Sequence, residues 1–324
     1  MSGSSVDALI KQWAERGFNQ SPVRRSAARK GLTGLAIGKR AQWASAQTSA
    51  SGVRAGLERM ARRTPQVIVR ISGGGRGMSH IRAHLSYITR NGRLPAFDHN
   101  EDRFQGQEEL AELGQELQSG GFPIAESSET REALNIILSM PEGTDAAGLR
   151  RAAMLFAADE FEGHQYALVL HTFDTDPHKN PARHPHVHLC VKRTGEDGTR
   201  LNPRKPDLQR WRERFAERLR EHGIDAATSY RLERLQRDRG PKPSVWQMTH
   251  RGAPMHSMGV SKATGERLAR ALQLEAHMLG RYGELAHILA RSADQQDRRL
   301  AMTLTTVLRD DRRDMDKLRA EPDR

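Results

Sequence analysis

The chain has 324 residues, of which 36% are hydrophobic and 28% charged, with a formal net charge of +12 and a pI near 10.4. That length can bury one sizeable core with appendages, and the positive balance points to a polyanion, nucleic acid ahead of an anionic membrane surface. The single cysteine, Cys190, excludes an internal disulfide and any cysteine-rich zinc finger. No apolar run approaches a membrane span, and the opening MSGSSVDALIKQWAERG lacks the apolar core of a cleaved signal peptide, so a cytoplasmic protein is expected.

In chain order, Met1 to Thr64 hold twelve Lys or Arg against three acids, an excess that makes up most of the net charge. With weak helices near Val6–Arg16 and Gly52–Arg63, residues 1–64 are expected to form a basic, partly disordered arm. A globular domain is expected over 65–240. Its first strand is QVIVRIS (Gln66–Ser72), by its β-branched residues. GGGRG turns the chain, and Met78–Arg90 follows as a helix with Ile81, Leu85 and Ile88 on one face, stopped by Asn91–Gly92. A helix near Gln107–Gln118, a buried strand over Ala133–Met140 and an amphipathic helix over Leu149–Phe161 come next. The strands QYALVLH and PHVHLCVKR are joined by a loop rich in Pro, Asp and His, and a helix covers roughly Leu208–His222. The order β-α-β-α-β-β-α predicts an α+β fold, a mostly antiparallel sheet with helices packed on one side. Residues 241–324 are expected to form a helical C-terminal region, with Leu268, Leu272, Leu274 and Leu279 as its apolar stripe.

Two histidines stand two apart in HPHVHLCVKR. Alternate side chains of a strand point the same way, so His186 and His188 share one face and Val187, Leu189 and Val191 the other. Two imidazoles so placed are half of a metal site, or a pair facing solvent. His171 ends the neighbouring strand, and Asp174 and Asp176 follow it, which favours the metal. Three imidazoles leave positions open on a cation, as catalysis needs. Imidazole suits a borderline divalent ion, whereas phosphate oxygens and water suit Mg²⁺ or Mn²⁺. Cys190 falls on the histidine face as a small core residue. The charge suggests a phosphodiester as substrate, attacked by water or by a side chain. Tyr87 lies off the core stripe of its helix, on a flank shared with His80 and His84. It is either a nucleophile or a partly exposed packing residue. Around it, Arg70, Arg76, Arg82, Arg90 and Arg93 are candidate phosphate contacts.

QVIVRISGGGRG, HLSYITRNGRL, NIILSMPEGTD, H-TFDTD-loop-HPHVHLCVKR and LREHGIDAATSYRLERL occur in that order. Together they resemble the relaxase (mobilisation nuclease) family of HUH endonucleases, closest to the T-DNA border-nicking relaxase type of Ti plasmids. The resemblance spans roughly Thr64 to Gly240. It implies a sheet with the HxH strand central and Tyr87 as the nucleophile, which attacks a scissile phosphate at an origin of transfer, leaving a 5′-phosphotyrosyl link and a free 3′-hydroxyl. It implies that Ser139 holds DNA on the 3′ side, that His171, His186 and His188 bind Mg²⁺ or Mn²⁺, and that Asp174, with Asp176 as second choice, orients a histidine or takes a proton. The implied partners are single-stranded origin DNA, relaxosome accessory proteins and the coupling protein of a type IV secretion system, with transfer to a recipient cell alongside the DNA. The loop between His171 and His184 is longer than in the relatives it resembles, Lys192 stands where they have asparagine, and the basic extension before Pro65 is unusual. Two other readings fit the residues alone: a metal-dependent phosphodiesterase that uses water, and a DNA-binding mobilisation protein without catalysis.

Overall fold

The computed structural model describes residues 3–19, 49–228 and 266–320. Two compact units emerge: Arg63–Thr228 build a sheet domain, and the helices near the two ends of the chain form another.

The sheet domain has six strands: β1 (Ile68–Gly73), β2 (Ala96–Asp98), β3 (Arg103–Phe104), β4 (Ala133–Ser139), β5 (Tyr166–His171) and β6 (His186–Lys192). Their order is β1-β4-β6-β5-β2-β3, and every pairing is antiparallel. The HxH strand, β6, is central, with β4 on one side and β5 on the other. The helices α3 (Met78–Ile88), α4 (Gln107–Ser119), α5 (Ala146–Glu160) and α6 (Lys205–Glu221) pack on it. Apart from β2 and β3, which the sequence reading did not include, these spans match the expected elements to within a few residues.

The helices cover both faces of the sheet, not one. On the first face Leu134, Ile136, Leu138, Leu168, Val187, Leu189 and Val191 meet Phe156 of α5 and Trp211 and Phe215 of α6. Phe156 stands edge-on to Phe161 and to Phe215 with ring centroids 5.8 Å apart in each case. Each such fully buried side chain contributes about 1.5–3 kcal/mol. On the second face Ala133, Ala167, Val169 and Cys190 meet Met78, Ile81, Leu85 and Ile88 of α3 and Leu113 and Leu117 of α4. Small residues on the strands let these helices lie close. Coverage from both sides explains why β5, YALVLH, is a nearly continuous apolar run.

Local chemistry sets the helix ends. Asp145 caps α5, its carboxylate accepting from the backbone N–H groups of Ala147 and Gly148. In α6, Pro206 sits in the first turn and the Asp207 side chain accepts from the Arg204 N–H at 2.8 Å. No side chain caps α3; the Met78 and Ser79 N–H groups donate instead to the carbonyls of Ala125 and Glu126. Past its other end Arg90, Asn91 and Gly92 all take positive φ, 55°, 59° and 80°, and the Asn91 N–H donates back to the Ser86 carbonyl.

The other unit contains α1 (Gly3–Asn19), α2 (Ala50–Ala61), α7 (Glu266–Ala290) and α8 (Gln295–Ala320). The helices expected near Val6–Arg16 and Gly52–Arg63 correspond to α1 and α2. Val6, Ile10, Ala14, Val53 and Leu57 share one apolar cluster with Leu279, Leu285, Leu289 and Leu304. Arg54 fastens it with two hydrogen bonds to the buried Asp297 carboxylate, at 2.6 and 2.9 Å. Of the expected C-terminal stripe, Leu279 is buried there. The surroundings of Leu268, Leu272 and Leu274, and the SYRLERL stretch that begins at residue 229, lie outside the described residues.

Candidate metal centre and nucleophile

Register across three strands builds the site. Ser139 of β4 pairs with His186 of β6, which pairs in turn with His171 of β5. Directly opposed residues share a face, so the three side chains form a row, with His188 two residues further along on the same side. Ring centroids of His171 and His188 are 4.6 Å apart, and those of His171–His186 and His186–His188 are both 5.0 Å apart. Their candidate ligand atoms all fall within 4.8 Å of one another.

The environment keeps these rings neutral. Burial pushes the pKa of His188 down to about 2 and that of His186 down to about 4, with the neighbouring imidazoles adding to both shifts. His171 is lowered too, again mainly by burial. A neutral imidazole keeps a lone pair for a cation at physiological pH. Donor chemistry, spacing and protonation therefore all fit a divalent metal.

The loop after β5 folds back beneath His171. The Thr175 N–H donates to the Thr172 hydroxyl at 3.1 Å, and the Asp176 N–H to the Thr172 carbonyl at 3.1 Å. This turn leaves Asp174 exposed and buries Asp176. Asp176 Oδ2 lies 3.2 Å from His171 Nδ1. Arg90 donates to both carboxylate oxygens at 2.8 Å, and this bonding holds the Asp176 pKa down near 2. Of the two aspartates, then, the second choice from sequence is the one that touches a site histidine. His171 Nε2 stands 2.6 Å from the Ile88 carbonyl. With its proton on Nδ1, given to Asp176, His171 presents Nε2 as a lone-pair donor; with the proton on Nε2, it binds the Ile88 carbonyl instead.

Helix α3 brings Tyr87 to this end of the sheet. Ile88 touches His171 through its carbonyl, and the His84 ring meets His188 edge-on at 6.5 Å. Tyr87 is 60% exposed, enough for a large substrate to reach its hydroxyl. The Arg90 guanidinium lies 4.9 Å from the centre of its ring. Ser139 is buried, with its hydroxyl 3.5 Å from the carbonyls of Met140 and Pro185. Arg76 and Arg93 are exposed near the two ends of α3, while Arg90 is half-buried and paired. Cys190 is a core residue, its thiol pushed up to about 12 by burial. Sequence alone did not disclose the bridge through Arg90 or the contact with the Ile88 carbonyl, both of which depend on how a loop and a helix end fold.

Residues 97–224 match the family model described as Relaxase: MobA/VirD2-like, nuclease domain. The match begins after Tyr87 and includes His171, Asp176, His186 and His188. No curated protein matches the chain. No described helix is long and apolar enough to cross a membrane.

Proposed function

Since residues 97–224 match the family model of MobA/VirD2-like relaxase nuclease domains, we propose that this chain nicks single-stranded DNA at an origin of transfer and that Tyr87 is the nucleophile. The observation that carries the reading is the juxtaposition of three neutral imidazoles with an exposed tyrosine on the adjoining helix end. In the proposed step the Tyr87 oxygen forms a bond to the scissile phosphorus as the bond to the 3′-oxygen breaks. The phenolic proton is given up, and the 3′-oxygen leaves as a hydroxyl after gaining a proton. The 5′-phosphotyrosyl link retains the energy of the phosphodiester, so the reverse attack by a 3′-hydroxyl rejoins the strand without a nucleotide cofactor.

His171, His186 and His188 would hold the divalent ion. Bound there, Mg²⁺ or Mn²⁺ would supply Lewis-acid stabilisation of the charge that develops on the phosphate. Asp176 holds the ring of His171 in orientation. Ser139, in register with His186, is proposed to contact the strand on the 3′ side of the break. Exposed Arg76 and Arg93 offer charge to the phosphate backbone, and stacking on exposed rings would hold unpaired bases. Accessory proteins of the relaxosome, a coupling protein of a secretion channel and passage into a recipient cell complete the proposed context. To test the metal requirement, single-stranded oligonucleotides tiled across DNA flanking the gene would be incubated with Mn²⁺. Cleavage that is lost on chelation and in His188→Gln supports the reading; cleavage indifferent to both contradicts it.

A further inference from the structure

We propose that Arg90 is a positioning residue that ties the Tyr87 helix end to the metal centre, and is not one of the phosphate contacts. The inference rests on the reading of Tyr87 as nucleophile, and four observations support it. Arg90 spends its donors inside the site: Nε and Nη2 bond Asp176 at 2.8 Å each, Nη1 bonds the Tyr87 carbonyl at 2.8 Å, and Nη2 lies 3.3 Å from His171 Nδ1. Its guanidinium packs 4.9 Å from the centre of the Tyr87 ring, a cation–π arrangement. The pair it forms is shielded, with side chains 15% and 3% exposed. Its backbone is left-handed at φ 55°. That conformation is strained for a residue with a Cβ, and it persists where surrounding contacts hold it. A planar fork is required: an ammonium is a point charge and cannot bind both carboxylate oxygens and the carbonyl together.

Tyr87 and Asp176 are thus linked through a single side chain, which predicts a coupling measurable without DNA or metal. The full-length chain is labelled with 3-fluorotyrosine, and the Tyr87 line in the ¹⁹F spectrum is assigned by Tyr87→Phe. Asp176→Asn should move that line in the native background and add nothing once Arg90→Lys is present, while Tyr166, buried in the sheet, keeps its line and reports an intact fold. An unmoved Tyr87 line, or the same displacement in both backgrounds, overturns the inference. Binding of a thirty-residue oligo(dT) gives an independent readout. A bridging Arg90 leaves the slope of log affinity against log salt unchanged in Arg90→Gln. A phosphate contact would lower its magnitude by about 0.7, and that result would equally overturn the inference. Failure of the underlying reading shows up elsewhere, as cleavage that survives Tyr87→Phe.

Discussion

Asp176 and Arg90 meet through two parallel hydrogen bonds of 2.8 Å, and the same carboxylate reaches His171 Nδ1 at 3.2 Å. A carboxylate that orients a ligating imidazole and raises its basicity typically changes metal affinity by about 10- to 100-fold when removed. Asp176→Asn should therefore weaken Mn²⁺ binding by that order, whereas Asp174→Asn, an exposed change, leaves it intact. Titration calorimetry of the two variants decides the matter, and the opposite ranking would return the role to Asp174.

Acid should destabilise the fold through the histidines. An unfolded histidine takes up a proton near 6.5, while in the folded chain His186 waits until about 4 and His188 until about 2. Between pH 6.5 and 4 the unfolded state binds more protons, so stability falls as pH drops through that window. Asp176, depressed from 3.8 to about 2, adds a second loss below pH 3.8. The urea midpoint should drop between pH 7.5 and 5, and less steeply in His188→Gln. A midpoint that is constant or rising would contradict the account.

Gly77 sets the entry to the Tyr87 helix. Its φ is +86°, and a Cβ there would lie 2.5 Å from the Glu126 carbonyl oxygen. Gly77→Ala would disturb the segment that accepts the first N–H groups of α3, so we expect a loss of about 2–4 kcal/mol from conformation and overpacking together. Gly143 has φ +85° with open space around it, and Gly143→Ala should cost only about 1–2 kcal/mol. Chemical denaturation of the two variants measures the difference, and equal costs would show that the Glu126 backbone yields freely.

Deleting residues 1–63 should do more than remove charge. Val6, Ile10, Val53 and Leu57 cover Leu285, Leu289 and Leu304, and Arg54 neutralises the buried Asp297. The truncated chain is expected to expose this apolar face and self-associate. Size-exclusion chromatography with light scattering tests this, and a monodisperse monomer would count against a structural role for these helices.

Much of the sheet domain was legible because its strands announce themselves chemically. QVIVRIS, ALNIILSM, YALVLH and the alternation of HPHVHLCVKR each specify a strand, and the two-residue period alone put His186 and His188 on one face. The short β2 and β3, three and two residues long, are too brief for any period to show. The second helical layer was hidden because Ala133, Ala167, Val169 and Cys190 signal close approach only once strand order is known. The choice between Asp174 and Asp176 was closed to sequence for a similar reason, since both lie within a turn whose hydrogen bonds decide which one faces His171. In the first 64 residues the two helices were legible near Val6–Arg16 and Gly52–Arg63, but the partners that Val6, Ile10, Val53 and Leu57 bury against lie more than 200 residues away in sequence.

The most direct measurement is the fate of Tyr87 on a denaturing gel. The chain would be incubated with a 5′- or 3′-labelled single strand containing its cleavage site and Mn²⁺, then digested and mapped by mass spectrometry. The account predicts a covalent adduct to the 5′-phosphate at Tyr87 and a free 3′-hydroxyl on the other fragment, with both cleavage and adduct lost in Tyr87→Phe. Because Tyr87 is 60% exposed, that variant should change stability by no more than about 0.5 kcal/mol. Cleavage that persists in Tyr87→Phe without an adduct would contradict the central claim and assign the attack to water.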